Sequence, residues 1–196
     1  MKKFLILAGA LLTLNSLAKA QIVEQESKSY GLLFMAGGRY DNLRRCAATP
    51  AGTKGGPIAD IMFITRKKIS DKYAVTFNLP VMRPILFGLA FKMLQFEPEF
   101  TLEKRKELNS KVDLLSGPGL GLSFHYGPDY KSKLKDLSNS FFALGPFISW
   151  QTGFVFKQEG KAKSSAGIKA FYVPLIAKDR PIGTVLGGAL FYSFRF

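Results

Sequence analysis

Ser123 and His125 stand two residues apart in "GLSFHYG", and Glu97 and Glu99 lie upstream in "QFEPEF". Serine, histidine and a carboxylate are the set that acyl transfer uses: the histidine takes the hydroxyl proton and the acid orients the histidine. Two residues is the repeat of an extended strand, so Ser123 and His125 share one face of it. His125 is the only histidine, which excludes a metal site built on a histidine cluster. Cys46 is the only cysteine, so no intramolecular disulfide can form, and its Gly/Pro-rich surroundings make it incidental. "GPGLGL" at 117–122 lacks the Lys-Ser/Thr and the helix of a phosphate loop. No cofactor or metal set emerges from the residues. The chemistry then turns on whether Ser123 and His125 face a cleft, and that depends on the elements that carry them.

Those elements alternate. Eight segments place apolar residues at every second position, the period of a strand. They are Tyr30–Gly38, Ile58–Lys67, Tyr73–Leu79, Ile85–Leu102, Val112–Tyr126, Phe142–Phe156, Ala166–Ile176 and Thr184–Phe196. In the sixth, Leu144, Ile148, Trp150, Phe154 and Phe156 oppose Gly145, Ser149, Gln151 and Gly153. In the fourth the apolar face changes parity near Leu94, which predicts a β-bulge or a strand end there. "PVMRP" reads as a very short connection and 103–111 as a long turn. No helical period appears beyond residue 20.

One face of each strand is rich in Phe, Leu and Tyr. The other carries Gly, Ser, Thr, Gln and single charges, too polar and too small for half of a packed core. The chain ends on an apolar strand, and such a strand needs a neighbour on both edges in lipid. The composition agrees: 47% hydrophobic residues and mean hydropathy +0.08, with no stretch after residue 20 of the ~20 apolar residues that a membrane helix needs. Residues 1–20 read as a cleaved secretory signal peptide, with Lys2 and Lys3, an apolar run from Phe4, and Ala18-Lys19-Ala20 at the cut. Residues 21–196 then form one β-barrel domain.

The terminal run Leu190, Tyr192, Phe194, Phe196 resembles the assembly signal of bacterial outer-membrane β-barrel proteins, which end in an aromatic residue preceded by alternating apolar ones. In length and strand count the chain resembles the small eight-stranded OmpA/OmpX-like class. The resemblance implies an all-β, antiparallel, up-and-down transmembrane barrel of eight strands in the outer membrane. It implies periplasmic termini, contact with outer-membrane lipids and lipopolysaccharide, help from the barrel-assembly machinery during biogenesis, and a monomer. It identifies a class and not an activity. The formal net charge of +14 departs from that class. Export, and the lack of a basic helix or zinc spacing, argue against nucleic acid as the partner.

An eight-stranded barrel is filled by its own side chains. The inward set is expected to include Asp60, Arg66, Asn78, Lys92, Ser123, His125, Gln151, Lys169 and Arg195, with Asp60 paired to an Arg or Lys because buried charges must pair. A filled lumen offers Ser123 no cleft. Outer-membrane lipid A deacylases carry a comparable triad, yet their histidine precedes the serine and their site faces lipid. The expectation is a non-catalytic barrel with an envelope structural or surface-interaction role. The alternatives are a lipid A or phospholipid-modifying enzyme, a narrow anion-preferring channel, or a soluble lipocalin-like binder.

Overall fold

The computed structural model describes residues 28–42, 54–88, 94–128, 140–177 and 182–196. Residues 1–27, Cys46 and Lys92 lie outside them. Nine strands form one antiparallel sheet: β1 (Lys28–Asp41), β2 (Gly55–Lys68), β3 (Tyr73–Pro80), β4 (Leu94–Phe96), β5 (Glu99–Asn109), β6 (Val112–Pro128), β7 (Ser140–Gln158), β8 (Lys161–Ala177) and β9 (Gly183–Arg195). β4 and β5 both pair with β6 in one continuous register, Leu94 with Tyr126 and Glu99 with Gly121, so they make a single stave. Pro98, which has no N–H to give the ladder, interrupts it. The sheet closes where β9 meets β1 and β6 meets β7. The result is the eight-stave up-and-down barrel that the alternation predicts.

The stagger of the ring follows from the pairing. Tyr30 leads from partner to partner through Thr65, Phe77, Phe100, Leu120, Ile148, Tyr172 and Leu186, and returns to β1 at Tyr40, ten residues beyond its start. Such a stagger tilts the staves, commonly by about 35–45°. The seam between the two ends of the chain is tied by the Phe196 N–H, which donates to the Tyr30 carbonyl at 3.0 Å.

Three short turns lie at the end where β1 begins and β9 ends. At Glu159-Gly160 both residues have positive φ, 53° and 74°, the geometry of a two-residue hairpin whose twist matches the strands, and glycine adopts it freely. Asn109 Oδ1 accepts from the N–H groups of Lys111 and Val112 to close the second turn. The third, 69–72, is closed by N–H groups of Ile69 and Ser70 donating to the Tyr73 carbonyl. The opposite end carries the longer connections.

Two sequence expectations change. Ile85 does not begin the fourth strand: Met82–Gly88 is a helix, α1, in the second long connection. Pro84 sits in its first turn, where the missing N–H costs nothing, and the Ile85 N–H donates to the Val81 carbonyl. The parity change near Leu94 therefore marks where the stave starts and not a bulge within it. Nor is 103–111 a long turn, because β5 runs on to Asn109 and only a tight turn separates it from β6. Both changes bring the turn lengths at each end into line with an up-and-down barrel.

The outer face is an apolar belt. Phe100, Leu120, Leu122, Ile148, Trp150, Phe154, Ile168, Tyr172, Leu190 and Tyr192 are all exposed. The inner face is half apolar. Leu33, Met35, Met62, Ile64, Phe147, Phe171, Val173, Val185 and Phe191 fill the side formed by β1, β2 and β7–β9. The expected polar lumen is thus confined mostly to the side of β3–β6, and the remainder is a packed hydrophobic core.

Candidate functional site: an ion-paired lumen

The inward positions of the fourth stave read Gln95, Glu97, Glu99, Thr101 and Glu103, all buried. A strand brings such residues to one face at about 6.6 Å intervals, two residues of rise. Three carboxylates on one line repel unless cations reach each of them, and the rest of the ring supplies those cations. The lumen is organised in three clusters around this acidic ladder.

Toward the end with the long connections, Glu97 accepts from Arg83 Nη1 at 2.7 Å and lies 3.5 Å from Arg39 Nη1. Arg83 projects from α1 into the barrel mouth and also pairs with Asp60, Nε to Oδ2 at 3.0 Å. Arg39 donates to Gln95 Oε1 at 3.1 Å and pairs with Asp41 at 3.4 Å. Ser123 Oγ donates to Glu97 Oε1 at 3.1 Å, and His125 Nε2 stands 3.3 Å from the same oxygen.

In the middle, Lys169 from β8 crosses to pair with Glu99. Glu99 also accepts from Asn78 Nδ2 at 3.1 Å and Ser149 Oγ at 2.8 Å. The Lys169 ammonium lies 5.7 Å from the centre of the Phe147 ring, a cation–π contact. Gly119 makes the room: a Cβ there would stand 2.2 Å from Ser149 Oγ and 2.6 Å from Glu99 Oε2. Gln151 is buried opposite Lys169 on the neighbouring stave.

Toward the end with the short turns, one carboxylate serves three guanidinium groups. Glu103 Oε2 accepts from Arg66 Nε at 3.0 Å and Arg105 Nη2 at 2.9 Å, and Arg195 Nη2 lies 3.7 Å from Oε1. Thr76 Oγ1 donates to Oε1 at 2.6 Å. Near the end of β7, Lys157 pairs with Asp113 at 2.7 Å and Glu107 at 3.0 Å. A hydrogen bond from Lys68 holds the Asp71 carboxyl in the 69–72 turn below its usual range.

The structure thus places Asp60, Asn78, Ser123, His125, Gln151, Lys169 and Arg195 in the buried interior, with Arg66 half-buried at its edge. Arg39, Asp41, Arg83, Glu103 and Arg105 belong to the same network, although their sequence surroundings read as loops. Ser123 and His125 do meet a carboxylate, Glu97. Both bond one oxygen of it directly, and no Ser–His hydrogen bond links them among the described contacts. That is a carboxylate cradle and not the Ser–His–acid order that proton relay needs. Leu190, Tyr192, Phe194 and Phe196 line the outer face at the seam, all exposed.

No protein-family model and no curated protein matches the chain. Solved structures do. Neisserial surface protein A is 10% identical, with 87% of this chain and 97% of that chain covered at a TM-score of 0.51. The attachment invasion locus protein Ail of Yersinia pestis is 11% identical over 86% and 97%, at 0.46. The N-terminal β-barrel domain of Pseudomonas aeruginosa OprF is 10% identical over 85% and 97%, at 0.35. The fold is that of the small eight-stranded outer-membrane β-barrels. At this level of identity the likeness is one of fold.

Proposed function

We propose that this chain is an integral protein of the bacterial outer membrane that acts through its loop-bearing end, as an envelope structural or surface-interaction protein, with no chemistry in its lumen. Residues 1–20 serve as a cleaved export signal, Leu190, Tyr192, Phe194 and Phe196 as the signal read by the barrel-assembly machinery, and the folded chain is a monomer among outer-membrane lipids and lipopolysaccharide. The observation that carries this reading is a closed ring with an apolar exterior around a filled, ion-paired interior. Burying five acids and six cations together is tolerable only where each charge finds a partner, and such a network leaves neither a water path nor an accessible nucleophile. Glu97, Glu99 and Glu103 engage the arginines and the lysine that would otherwise attract anions through an anion-preferring channel.

The test is the full chain refolded in detergent and in bilayers. The expected outcome is a band that migrates differently before and after boiling, and silence in single-channel recordings across a planar bilayer. A chain that stays monomeric and folded without detergent would overturn the membrane assignment, and steady unitary conductance would replace the filled lumen with a pore.

A further inference from the structure

The outer surface turns basic at the end where β1 begins and β9 ends. On β5 the outward residues run Phe100, Leu102, Lys104, Lys106 and Leu108, all exposed. Tyr73 of β3 is followed outward by Lys72 in the turn, and Lys111, Lys161 and Lys163 stand exposed on the turn before β6 and at the start of β8. Tyr73 pairs with Lys104 and the Arg105 N–H donates to the Lys72 carbonyl, so Lys72 and Lys104 are neighbours across strands, as Lys104 and Lys106 are along one. The acids nearby are already taken. Asp71 is held by Lys68, and Glu107 and Asp113 by Lys157. Among the described side chains at this rim, Glu159 is the acid left to face the six lysines.

We infer that this basic collar binds the anionic headgroups of the phospholipid leaflet around that end of the barrel. Depth decides the partner. Lys104 lies two residues past Leu102, about 5 Å along the barrel axis on a tilted strand, and Leu108 follows on the same face, so apolar side chains flank the lysines on both sides. That is headgroup depth, and a lysine there keeps its stem on the apolar belt while its ammonium reaches phosphate. An acidic protein would instead meet the turn tips, beyond the reach of Lys104. The inference rests on the membrane reading above, with the termini at the phospholipid-bearing periplasmic face. It goes further in naming a ligand class and the residues that select it.

The experiment uses the full chain folded into bilayers of equal phosphatidylcholine and phosphatidylglycerol, with heat-modifiable migration verified first. Native mass spectrometry then counts the lipids that stay bound on release. The wild type is expected to retain phosphatidylglycerol over phosphatidylcholine by roughly fivefold or more, the preference one lysine at a charged surface supplies. High salt, or the exposed substitutions Lys104→Gln, Lys106→Gln, Lys161→Gln and Lys163→Gln together, should bring the ratio close to that of the bilayer. No enrichment in the folded wild type overturns the lipid assignment and points to an acidic polypeptide at the rim. Enrichment unchanged in the quadruple variant moves the lipid site to the other end and equally overturns it. A chain without heat-modifiable migration would remove the barrel reading itself, an outcome separate from both.

Discussion

Replacing Glu103 with glutamine should be among the most damaging single changes in this barrel. Glu103 is the shared acceptor of Arg66 at 3.0 Å and Arg105 at 2.9 Å, with Arg195 at 3.7 Å. Each contact near 3 Å carries Coulomb attraction of about 5 kcal/mol at an effective dielectric of ~20. Much of that offsets the desolvation of the arginines, which stay buried in the variant. The measurable cost is that of leaving buried charge without its partner, about 3–5 kcal/mol. Glutamine makes matters worse in one respect, since its NH₂ turns a donor toward guanidinium donors. Removing one arginine as well should return part of the loss, so Glu103→Gln with Arg195→Gln should fall short of additivity by ~1–3 kcal/mol. Urea unfolding of the chain in bilayers measures both, followed by the fluorescence of Trp150, the only tryptophan, on the lipid-facing surface. A loss below about 1 kcal/mol for Glu103→Gln, or strict additivity in the double variant, would show that the three guanidinium groups do not depend on this carboxylate.

The same reasoning sets expectations elsewhere. Trp150→Arg should cost about 2–4 kcal/mol on the lipid face, whereas Trp150→Leu should cost little; equal losses in bilayer unfolding would misplace the belt. Gly119→Val should unseat the Glu99–Ser149 contact and lower the folded, heat-modifiable fraction well below that of Gly188→Ala, where an added Cβ would meet nothing nearer than the Lys169 carbonyl at 3.7 Å; comparable fractions would remove the space argument. Deleting Phe196 should reduce the amount of barrel assembled in cells, read by immunoblot of outer-membrane fractions, and normal levels would separate the terminal residue from assembly. His125→Ala should leave the acylation pattern of host lipid A unchanged by mass spectrometry while lowering stability by ~1–3 kcal/mol through the lost contact to Glu97; a fatty acid removed only by the wild type would promote the enzyme reading.

Period-two alternation made the architecture legible because a closed barrel exposes every strand to two different media. The same alternation was present but unread in "EKRK". There Glu103 and Arg105 turn inward while Lys104 and Lys106 turn outward, yet four consecutive charges look like a solvated loop. Arg39 and Asp41 were hidden by the Gly37-Gly38 pair before them, which reads as the end of a strand although β1 continues through it to Asp41. Arg83 was hidden differently. Between two prolines it looks like part of a turn, and only a helix folded over the barrel mouth gives it Asp60 and Glu97. Spacing put Ser123 and His125 on one face, but whether they bond each other or a common acid depends on which strand lies beside them, and no local pattern encodes that.

The order in which the charges enter the chain has its own consequence. Glu97, Glu99 and Glu103 arrive together in the middle of the sequence, whereas Lys169 and Arg195 arrive with the last two strands, and Arg195 is the penultimate residue. A sheet that has inserted only its first five staves holds three carboxylates with part of their counter-charge missing, in surroundings where an unpaired ion is costly. The last two staves therefore complete the counter-charge: Lys169 reaches Glu99, and Arg195 joins Arg66 and Arg105 at Glu103, only when β8 and β9 are in place. An unfinished barrel leaves Glu99 without its lysine as well as exposing open strand edges, so the final hairpin that seals the ring also completes its ion pairs.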